Sequence, residues 1–178
     1  GNCSEPKGLD LVLEAMLGLV RRQGEARLVV HGPVQQLLEE GIPRRDPYAL
    51  KLQHLLAQLR EHVSCPGPYR QDEIPRLMGS VGWVVMASRW LENAPVVIQE
   101  ALACHRPLLV PALGGMAEHV RNGQDGFHFA PDSAASLQEQ MERICRKPQL
   151  WADLQQSLAA PLSAEEALQS YLNVFKGD

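Results

Sequence analysis

Two glutamates, Glu92 and Glu100, have a type and a spacing that could serve ligand binding or catalysis. They flank a turn within residues 87–104, which read ASRWLENAPVVIQEALAC. An apolar run at residues 81–86 comes before this stretch. The order predicts a strand, a polar loop and a helix, with one acid in the loop and the other in the helix.

Pro95 suits the first turn of that helix, because the N–H that it lacks would have no partner there. Asn93 or Ala94 is then the expected N-cap. The free N–H groups and the positive end of the helix dipole attract phosphate, and the two carboxylates can hold hydroxyls. The stretch therefore predicts a ligand with phosphate and sugar groups. The alternative is two solvated acids, one on a loop and one on a helix.

The rest of the chain alternates apolar runs with helix-periodic segments, which is typical of a parallel sheet covered by helices on both faces. Helices are predicted over residues 8–22, 35–40, 49–62, 72–79, 95–104, 116–121, 133–146, 148–158 and 163–175. Strands are predicted over residues 26–31, 63–65, 83–87, 107–111 and 127–129. We expect the second of these strands to be broken by Pro66 and a turn to form at Gly114-Gly115. The predicted fold is α/β with a Rossmann-like sheet.

A domain of this kind is expected to begin with a strand, but the sequence opens on a glycine loop at residues 1–8. Either a strand that precedes Gly1 belongs to the sheet, or something else covers that position. A strand edge left uncovered could pair with another chain, so a dimer through an exposed sheet edge is a further expectation.

Composition narrows the class of protein. The 178 residues suit one domain with a sizeable core. A net charge of −4 leaves no broad basic field, which argues against nucleic acid as a partner. The apolar runs fall short of the ~20 residues that a membrane-spanning helix needs. Since no secretory signature opens the chain either, we expect a cytoplasmic protein without a transmembrane segment.

The cysteines and histidines form no metal-binding pattern. No C-x-x-C occurs, and no two histidines lie four residues apart with an acid between them, so no metal site is predicted. Reduced thiols that mostly fill the core are expected at Cys3, Cys65, Cys104 and Cys145.

Short motifs follow one another along nearly the whole chain. They are a glycine loop ending in Lys7-Gly8, LVVHG at residues 28–32, VSCPGPY at 63–69, ENAPVVIQE at 92–100, GGMAE at 114–118 and NGQDG at 122–126. Each is weak alone. In this order they resemble the C-terminal, donor-binding domain of the retaining GT-B glycosyltransferases of the glycosyl transferases group 1 family, whose signature is E-x7-E. That family includes sucrose and glycogen synthases and bacterial mannosyl- and glucosyltransferases.

The resemblance implies an architecture and an activity. Residues 1–178 would be one Rossmann-like donor-binding domain, the C-terminal half of a GT-B fold, and the N-terminal acceptor domain would be a partner absent from this chain. The whole enzyme would be a hexosyltransferase that uses a UDP- or GDP-linked sugar as substrate, with no cofactor and no metal, on an unknown acceptor. The isolated domain would bind donor but transfer little. The missing domain could place the enzyme peripherally at the inner face of the membrane.

The resemblance also implies roles for individual residues. Lys7 would bind the donor diphosphate, Glu100 would hold the ribose hydroxyls, and Glu92 would face the transferred sugar as the catalytic residue. The backbone of residues 93–96 would meet sugar hydroxyls and phosphates, and residues 67–69 would lie near the base. The other implied donor-binding residues are Gly8, Gly67, Tyr69, Asn93, Ala94, Pro95 and Val96.

One departure from the family pattern bears on function. The arginine that usually follows the first glycine, a second diphosphate partner, is Asn2 here. Its loss removes a cation where negative charge accumulates and favours a non-catalytic relative, which would bind nucleotide sugar or act as a scaffold. A sugar-nucleotide epimerase is a third alternative, and the absence of G-x-G-x-x-G after a first strand counts against it.

Several aromatic residues have ordinary structural interpretations. His31 is interpreted as a strand-end histidine in preference to a catalytic base, and His119 and His128 as surface or turn residues. Trp83 and Trp90 are interpreted as packing residues, with ligand contact as the alternative for Trp90. The helix at residues 133–146 is expected to contact the core through its apolar stripe.

Overall fold

The computed structural model describes residues 3–23 and 26–158. The helices are α1 Leu9–Gln23, α2 Val34–Gly41, α3 Pro47–Gln58, α4 Ile74–Gly79, α5 Val96–Ala103, α6 Gly114–His119, α7 Ala134–Arg146 and α8 Gln149–Ser157. The strands are β1 Leu28–His31, β2 Val63–Gly67, β3 Val84–Val85, β4 Leu108–Pro111 and β5 Gly126–Phe129. Two 3-10 helices span Glu5–Lys7 and Gln71–Glu73. The predicted helix at residues 163–175 lies outside the described ranges.

The strands are parallel, and their hydrogen bonds form two sheets in the described part of the chain. One sheet has the order β1-β2 and the other β3-β4-β5. Leu109 of β4 lies in a core cluster with residues of α1, α3 and α7, while Leu108 and Val110 lie in a second cluster with residues of α5 and α6. Since neighbouring strand residues point to opposite faces, helices cover both sides, which we call the α1 face and the α5 face. The predicted α/β class is confirmed.

Several predicted element boundaries were wrong. β2 continues through Pro66 to Gly67. Its only partner strand among the described residues is β1, and proline is tolerated where a strand has an unpaired side. Conversely, β3 is shorter than predicted, at two residues. Gly114 and Gly115 do not form a separate turn, because they are the first two residues of α6.

The core is less dependent on cysteine than predicted. Cys3 is buried and Cys104 is partly buried, but Cys65 and Cys145 are exposed. None of the four, all within the described ranges, forms a disulfide. Cys65 lies on β2, whose three middle residues are all exposed. The buried stripe of α7 is instead formed by Leu137 and Met141, which confirms the predicted core contact of that helix.

Candidate functional site

A cavity of about 480 Å³ lies between β1 and β3 and opens where these strands end. Loops at the carboxyl ends of parallel strands are the usual location of ligand sites in α/β proteins. Five polar and aromatic residues at this opening come from four separate segments of the chain. They are Lys7, His31, Tyr69, Ser88 and Glu92.

Lys7 and Glu92 form a direct ion pair at the opening, with Lys7 Nζ donating to Glu92 Oε1. Ser88 Oγ lies 3.1 Å from the same carboxylate oxygen and 3.2 Å from the carbonyl of Pro6. The Lys7 side chain is 45% exposed and that of Glu92 is 18% exposed. A cation close to solvent is therefore held beside a carboxylate that is already partly desolvated.

Arg89 ties the loop after β3 to the N-terminal loop and to α1. Its guanidinium donates two hydrogen bonds of 2.8 Å to the carboxylate of Asp10, and its Nε lies 2.6 Å from Asp132 Oδ1. It also donates to the carbonyl of Glu5 at 2.8 Å, and its backbone N–H donates to the carbonyl of Pro6 at 2.8 Å. Arg89 thus anchors the turn that carries the neighbouring Lys7.

Asp10 is the buried centre of this network, with an exposed fraction of 2%. Lys51 Nζ adds a third donor at 2.6 Å from its carboxylate. Burial alone would raise the pKa of Asp10, but the hydrogen bonds from Arg89 and Lys51 outweigh it and lower that pKa. The bonds to Asp10 are the largest cause that raises the pKa of Arg89. Burial, followed by the charge of Asp10, raises the pKa of Tyr48 to about 12.

Two glycines allow the loops of the site to approach one another. Gly8 has a φ of +70°, and a Cβ at this position would lie 1.9 Å from the carbonyl oxygen of Ala87. A Cβ on Gly115 would lie 1.9 Å from the carbonyl oxygen of Asn93. The Gly115 N–H donates to the carbonyl of Glu92 at 2.8 Å. Each glycine therefore fixes one partner of the Lys7–Glu92 pair through its backbone.

An aromatic pair forms another wall of the opening. The rings of His31 and Tyr69 meet edge to face, with centroids 5.6 Å apart and an interplanar angle of 78°. Gly67, with a φ of +96°, turns the chain between β2 and Tyr69, and a Cβ there would meet no atom within 4 Å. The space beside Gly67 is open, and Tyr69 lines the cavity.

The N-terminus of α5 differs from the prediction by one or two residues. Its N-cap is Pro95, not Asn93 or Ala94, because Pro95 has an extended ψ of 116° and the helix begins at Val96. No side chain caps the helix. Val96 is one of the residues that line the cavity.

Half of the predicted site residues lie together in this cavity. Its lining includes Lys7, Tyr69, Glu92, Pro95 and Val96. Five others do not line it: Gly8, Gly67, Asn93, Ala94 and Glu100. Gly8 is buried behind the opening, Asn93 and Ala94 are exposed on the loop, and Glu100 lies part-buried in α5.

The residues that sequence reasoning missed are Ser88, Arg89 and Asp10. The available signal was an aspartate within the apolar stripe of α1, since a buried carboxylate needs a cationic partner. Arg89, in the loop after an apolar strand, was a candidate for that partner. Their separation of 79 positions leaves no local pattern that would join them.

The remaining aromatic residues mainly have structural contacts. Trp83 stacks on Phe127 at 5.9 Å, and His128 Nε2 lies 2.6 Å from the carbonyl oxygen of Val120. His119 is exposed on α6. Trp90 is 67% exposed, so it is not the packing residue that was predicted, because the loop carries it away from the core.

The described ranges contain neither a metal-binding cluster nor a membrane-spanning helix. No cluster of three or more histidine, cysteine or acidic residues there could hold a metal ion. In those same ranges, no helix combines the length and the apolarity needed to cross a membrane.

The parallel α/β architecture is the fold of GT-B glycosyltransferase domains, to which this chain is structurally similar. The chain belongs to the family Glycosyl transferases group 1, which it matches over residues 1–159. The predicted family is thereby confirmed.

Individual relatives are similar over most of this chain. Alpha-D-kanosaminyltransferase of Streptomyces kanamyceticus is 27% identical over 166 residues, which cover 92% of this chain and 39% of that protein. The chain therefore spans about two-fifths of the length of this curated relative.

Solved structures show the same fold. Anabaena HepE in complex with UDP-glucose has a TM-score of 0.73 and 21% identity, over 89% of this chain and 41% of that chain. The C-terminal domain of a glycosyl transferase group 1 family protein, LpcC of Francisella tularensis, has a TM-score of 0.68 and 18% identity. That match covers 88% of this chain and 78% of that chain.

Proposed function

We propose that this chain is the donor-binding domain of a retaining glycosyltransferase that transfers a hexose from a UDP- or GDP-linked donor. The observation that carries the proposal is the Lys7–Glu92 pair at the opening of the cavity, beside Tyr69 and the start of α5. These residues supply a cation for a diphosphate, a carboxylate for sugar hydroxyls and an aromatic ring near a base. The bound UDP-glucose of Anabaena HepE supports a nucleotide-sugar ligand.

Lys7 is the proposed diphosphate ligand. The neighbouring Arg89 is already bonded to Asp10 and Asp132, so it has little capacity left for a phosphate. A bound diphosphate would compete with Glu92 for the Lys7 ammonium. Its higher charge favours that exchange, which would leave the Glu92 carboxylate available to the transferred sugar.

The same arrangement has a catalytic use. As the bond to the sugar breaks, negative charge develops on the departing nucleoside diphosphate, and a cation placed there lowers the barrier. Lys7 would supply that cation, and Glu92 would hold the sugar. Glu100 would accept hydrogen bonds from the ribose, while Gly8, Gly67, Asn93, Ala94, Pro95 and Val96 would shape the loops around the donor. The nucleotide sugar is a substrate, so the proposal includes no cofactor.

Transfer would also need an acceptor site. We place that site in the remainder of the full-length protein, since the curated relative is more than twice as long as the matched region. The 178-residue chain alone should then bind donor without efficient transfer.

Calorimetry with UDP, GDP and uridine tests the proposal. Lys7→Ala should weaken UDP binding about tenfold to a hundredfold, because a charge-assisted bond contributes roughly 1.5–3 kcal/mol. Uridine binding should change little. Lys147→Ala is the matched control, since Lys147 is exposed at the end of α7. Failure of the intact protein to bind either nucleotide, or equal effects of the two lysine variants, would refute the proposal.

The role of Glu100 needs a separate comparison. Glu100→Ala should weaken both UDP and uridine binding, because each carries the ribose that this carboxylate is proposed to hold. Glu139→Ala, on the exposed side of α7, should change neither. Unchanged uridine binding in the Glu100 variant would remove Glu100 from the site.

A non-catalytic relative that binds nucleotide sugar, or serves as a scaffold, is the second candidate. Asn2 favours it, because the family pattern has an arginine there. Asn2→Arg should raise UDP affinity if the site is used for binding. Donor turnover by the full-length protein with Asn2 in place would exclude this candidate.

A further inference from the structure

The proposed diphosphate site depends on a single lysine. Lys7 is the one lysine or arginine among the described residues that line the cavity, and the arginine of the family pattern at position 2 is replaced by Asn2. A lysine binds phosphate as a point charge on a flexible stem, and ordering such a side chain on binding has an entropic cost. With one cation, the affinity for a diphosphate depends on how firmly the backbone of Lys7 is placed.

The turn that carries Lys7 is short and exposed. Residues Glu5–Lys7 form one turn of 3-10 helix, in which the Lys7 N–H donates to the Ser4 carbonyl at 2.9 Å and the Gly8 N–H donates to the Glu5 carbonyl at 3.0 Å. No side chain caps this turn, and its three residues are exposed. A single turn of this kind has little stability of its own, so contacts with the rest of the domain must hold it.

Arg89 supplies those contacts through its side chain and its backbone. Its Nη1 donates to the Glu5 carbonyl at 2.8 Å, and its backbone N–H donates to the Pro6 carbonyl at 2.8 Å. Nη1 and Nη2 also donate to the two carboxylate oxygens of Asp10, each at 2.8 Å. Asp10 lies in the first turn of α1 and is 2% exposed, so it gives the guanidinium a fixed position.

The bonds of Arg89 require the shape of a guanidinium as well as its charge. Its three nitrogens have acceptors on Glu5, Asp10 and Asp132, and the bond from Nε to Asp132 Oδ1 is 2.6 Å long. A lysine ammonium lacks the planar fork that reaches separate acceptors at once. Arg89→Lys would therefore keep a positive charge near Lys7 while losing part of the anchor.

We propose that Arg89 is a positioning residue for the donor diphosphate, which fixes the turn at residues 5–7 so that the Lys7 ammonium stays at the site opening. This inference rests on the proposed donor-binding function. Arg89 would not bind the donor itself, since four bonds within the protein use most of its five guanidinium N–H groups. Its effect on diphosphate affinity must then pass through Lys7.

A double-mutant cycle measured by calorimetry with UDP tests this dependence. Arg89→Lys should weaken UDP binding about tenfold and leave uridine binding unchanged, because uridine has no diphosphate. In a Lys7→Ala background, Arg89→Lys should change UDP affinity less than about twofold. Arg21→Lys is the matched control, since Arg21 is exposed and bonds to Gln58 at the other end of α1, and it should change neither affinity.

Three results of this cycle would overturn the proposal. Unchanged UDP affinity in Arg89→Lys would show that the charge alone matters. Equal effects with and without Lys7 would show that Arg89 does not act through it, and an equal loss of uridine binding would indicate a general loosening of the fold. Asp10→Asn is the second variant if Arg89→Lys does not fold, because it weakens the same anchor from the other side and should show the same dependence on Lys7.

Amide exchange without nucleotide separates this proposal from the one on which it rests. The Lys7 and Gly8 amides should exchange at least ~10-fold faster in Arg89→Lys than in the unaltered protein and in Arg21→Lys. UDP binding by the unaltered protein together with equal exchange in all three would overturn the role of Arg89 alone. Absence of both UDP and GDP binding by the unaltered protein would refute the donor-binding proposal, and the positioning role with it.

Discussion

Removing the Asp10 carboxylate should destabilise the protein far more than removing a geometrically similar acid at the surface. In the folded protein Asp10 is 2% exposed and accepts hydrogen bonds from Arg89 and Lys51. Loss of one member of a buried ion pair typically costs about 3–5 kcal/mol, because a charge is left without its partner. Asp10→Ala creates that situation for two cations.

The expected loss is smaller than that full range, because both cations keep other partners. Arg89 still bonds to Asp132 and to the Glu5 carbonyl, and Lys51 remains 3.0 Å from Glu14. Both side chains also reach solvent, at 24% and 42% exposure. We therefore expect the free energy of unfolding to fall by about 2–3 kcal/mol.

Urea denaturation of Asp10→Ala and Asp72→Ala measures this difference. Asp72 also accepts two hydrogen bonds from an arginine, Arg70, but that pair is 64–80% exposed. Exposed pairs of this kind contribute about 0–1 kcal/mol. A loss for Asp10→Ala within 1 kcal/mol of the control would refute the view that burial makes this network stabilising.

Two further predictions concern backbone fit and pH. Gly8→Ala should cost about 2 kcal/mol or more in urea denaturation, because its Cβ would meet the Ala87 carbonyl at a φ of +70°. Gly79→Ala, which has open space around its Cβ, should be neutral or stabilising, and equal effects would contradict the steric argument. The lowered pKa of Asp10 adds stability at pH values above the pKa of an unfolded aspartate, near ~3.9, and this is lost as pH falls through the folded pKa. Asp10→Asn should therefore make the free energy of unfolding depend less on pH in the acid range. An unchanged pH dependence would exclude Asp10 as its source.

Local pattern accounts for much of the fold but little of the network around the site. Alternating apolar runs and amphipathic helices predicted the α/β class and most elements, because these signals repeat over a few residues. The short β3 was overestimated, since strand length depends on how far a partner strand extends. Pro66 was predicted to end β2. A proline is tolerated on the unpaired side of a strand, but that side becomes apparent only when the sheet order is known.

Residues that line the cavity were predictable where a motif included them, and not where their position depends on a distant partner. Lys7 and Glu92 were both assigned to the site, but their direct contact spans 85 positions and has no local signal. Arg89 was overlooked because its function depends on Asp10, in a different helix. Glu100 was also placed at the site, yet it does not line the cavity, so its proposed contact with ribose awaits the binding comparison.

Backbone contacts hold both partners of the Lys7–Glu92 pair in place, which would lower the entropic cost of ligand binding. The turn before Lys7 is bonded through its carbonyls to Arg89, and Gly8, which follows Lys7, packs against Ala87 just beyond β3. On the other side, the Glu92 carbonyl accepts the Gly115 N–H. With both backbones fixed, the proposed diphosphate would displace the carboxylate from Lys7 through side-chain rotation alone. Donor binding would then order few additional groups, which would keep its entropic cost low.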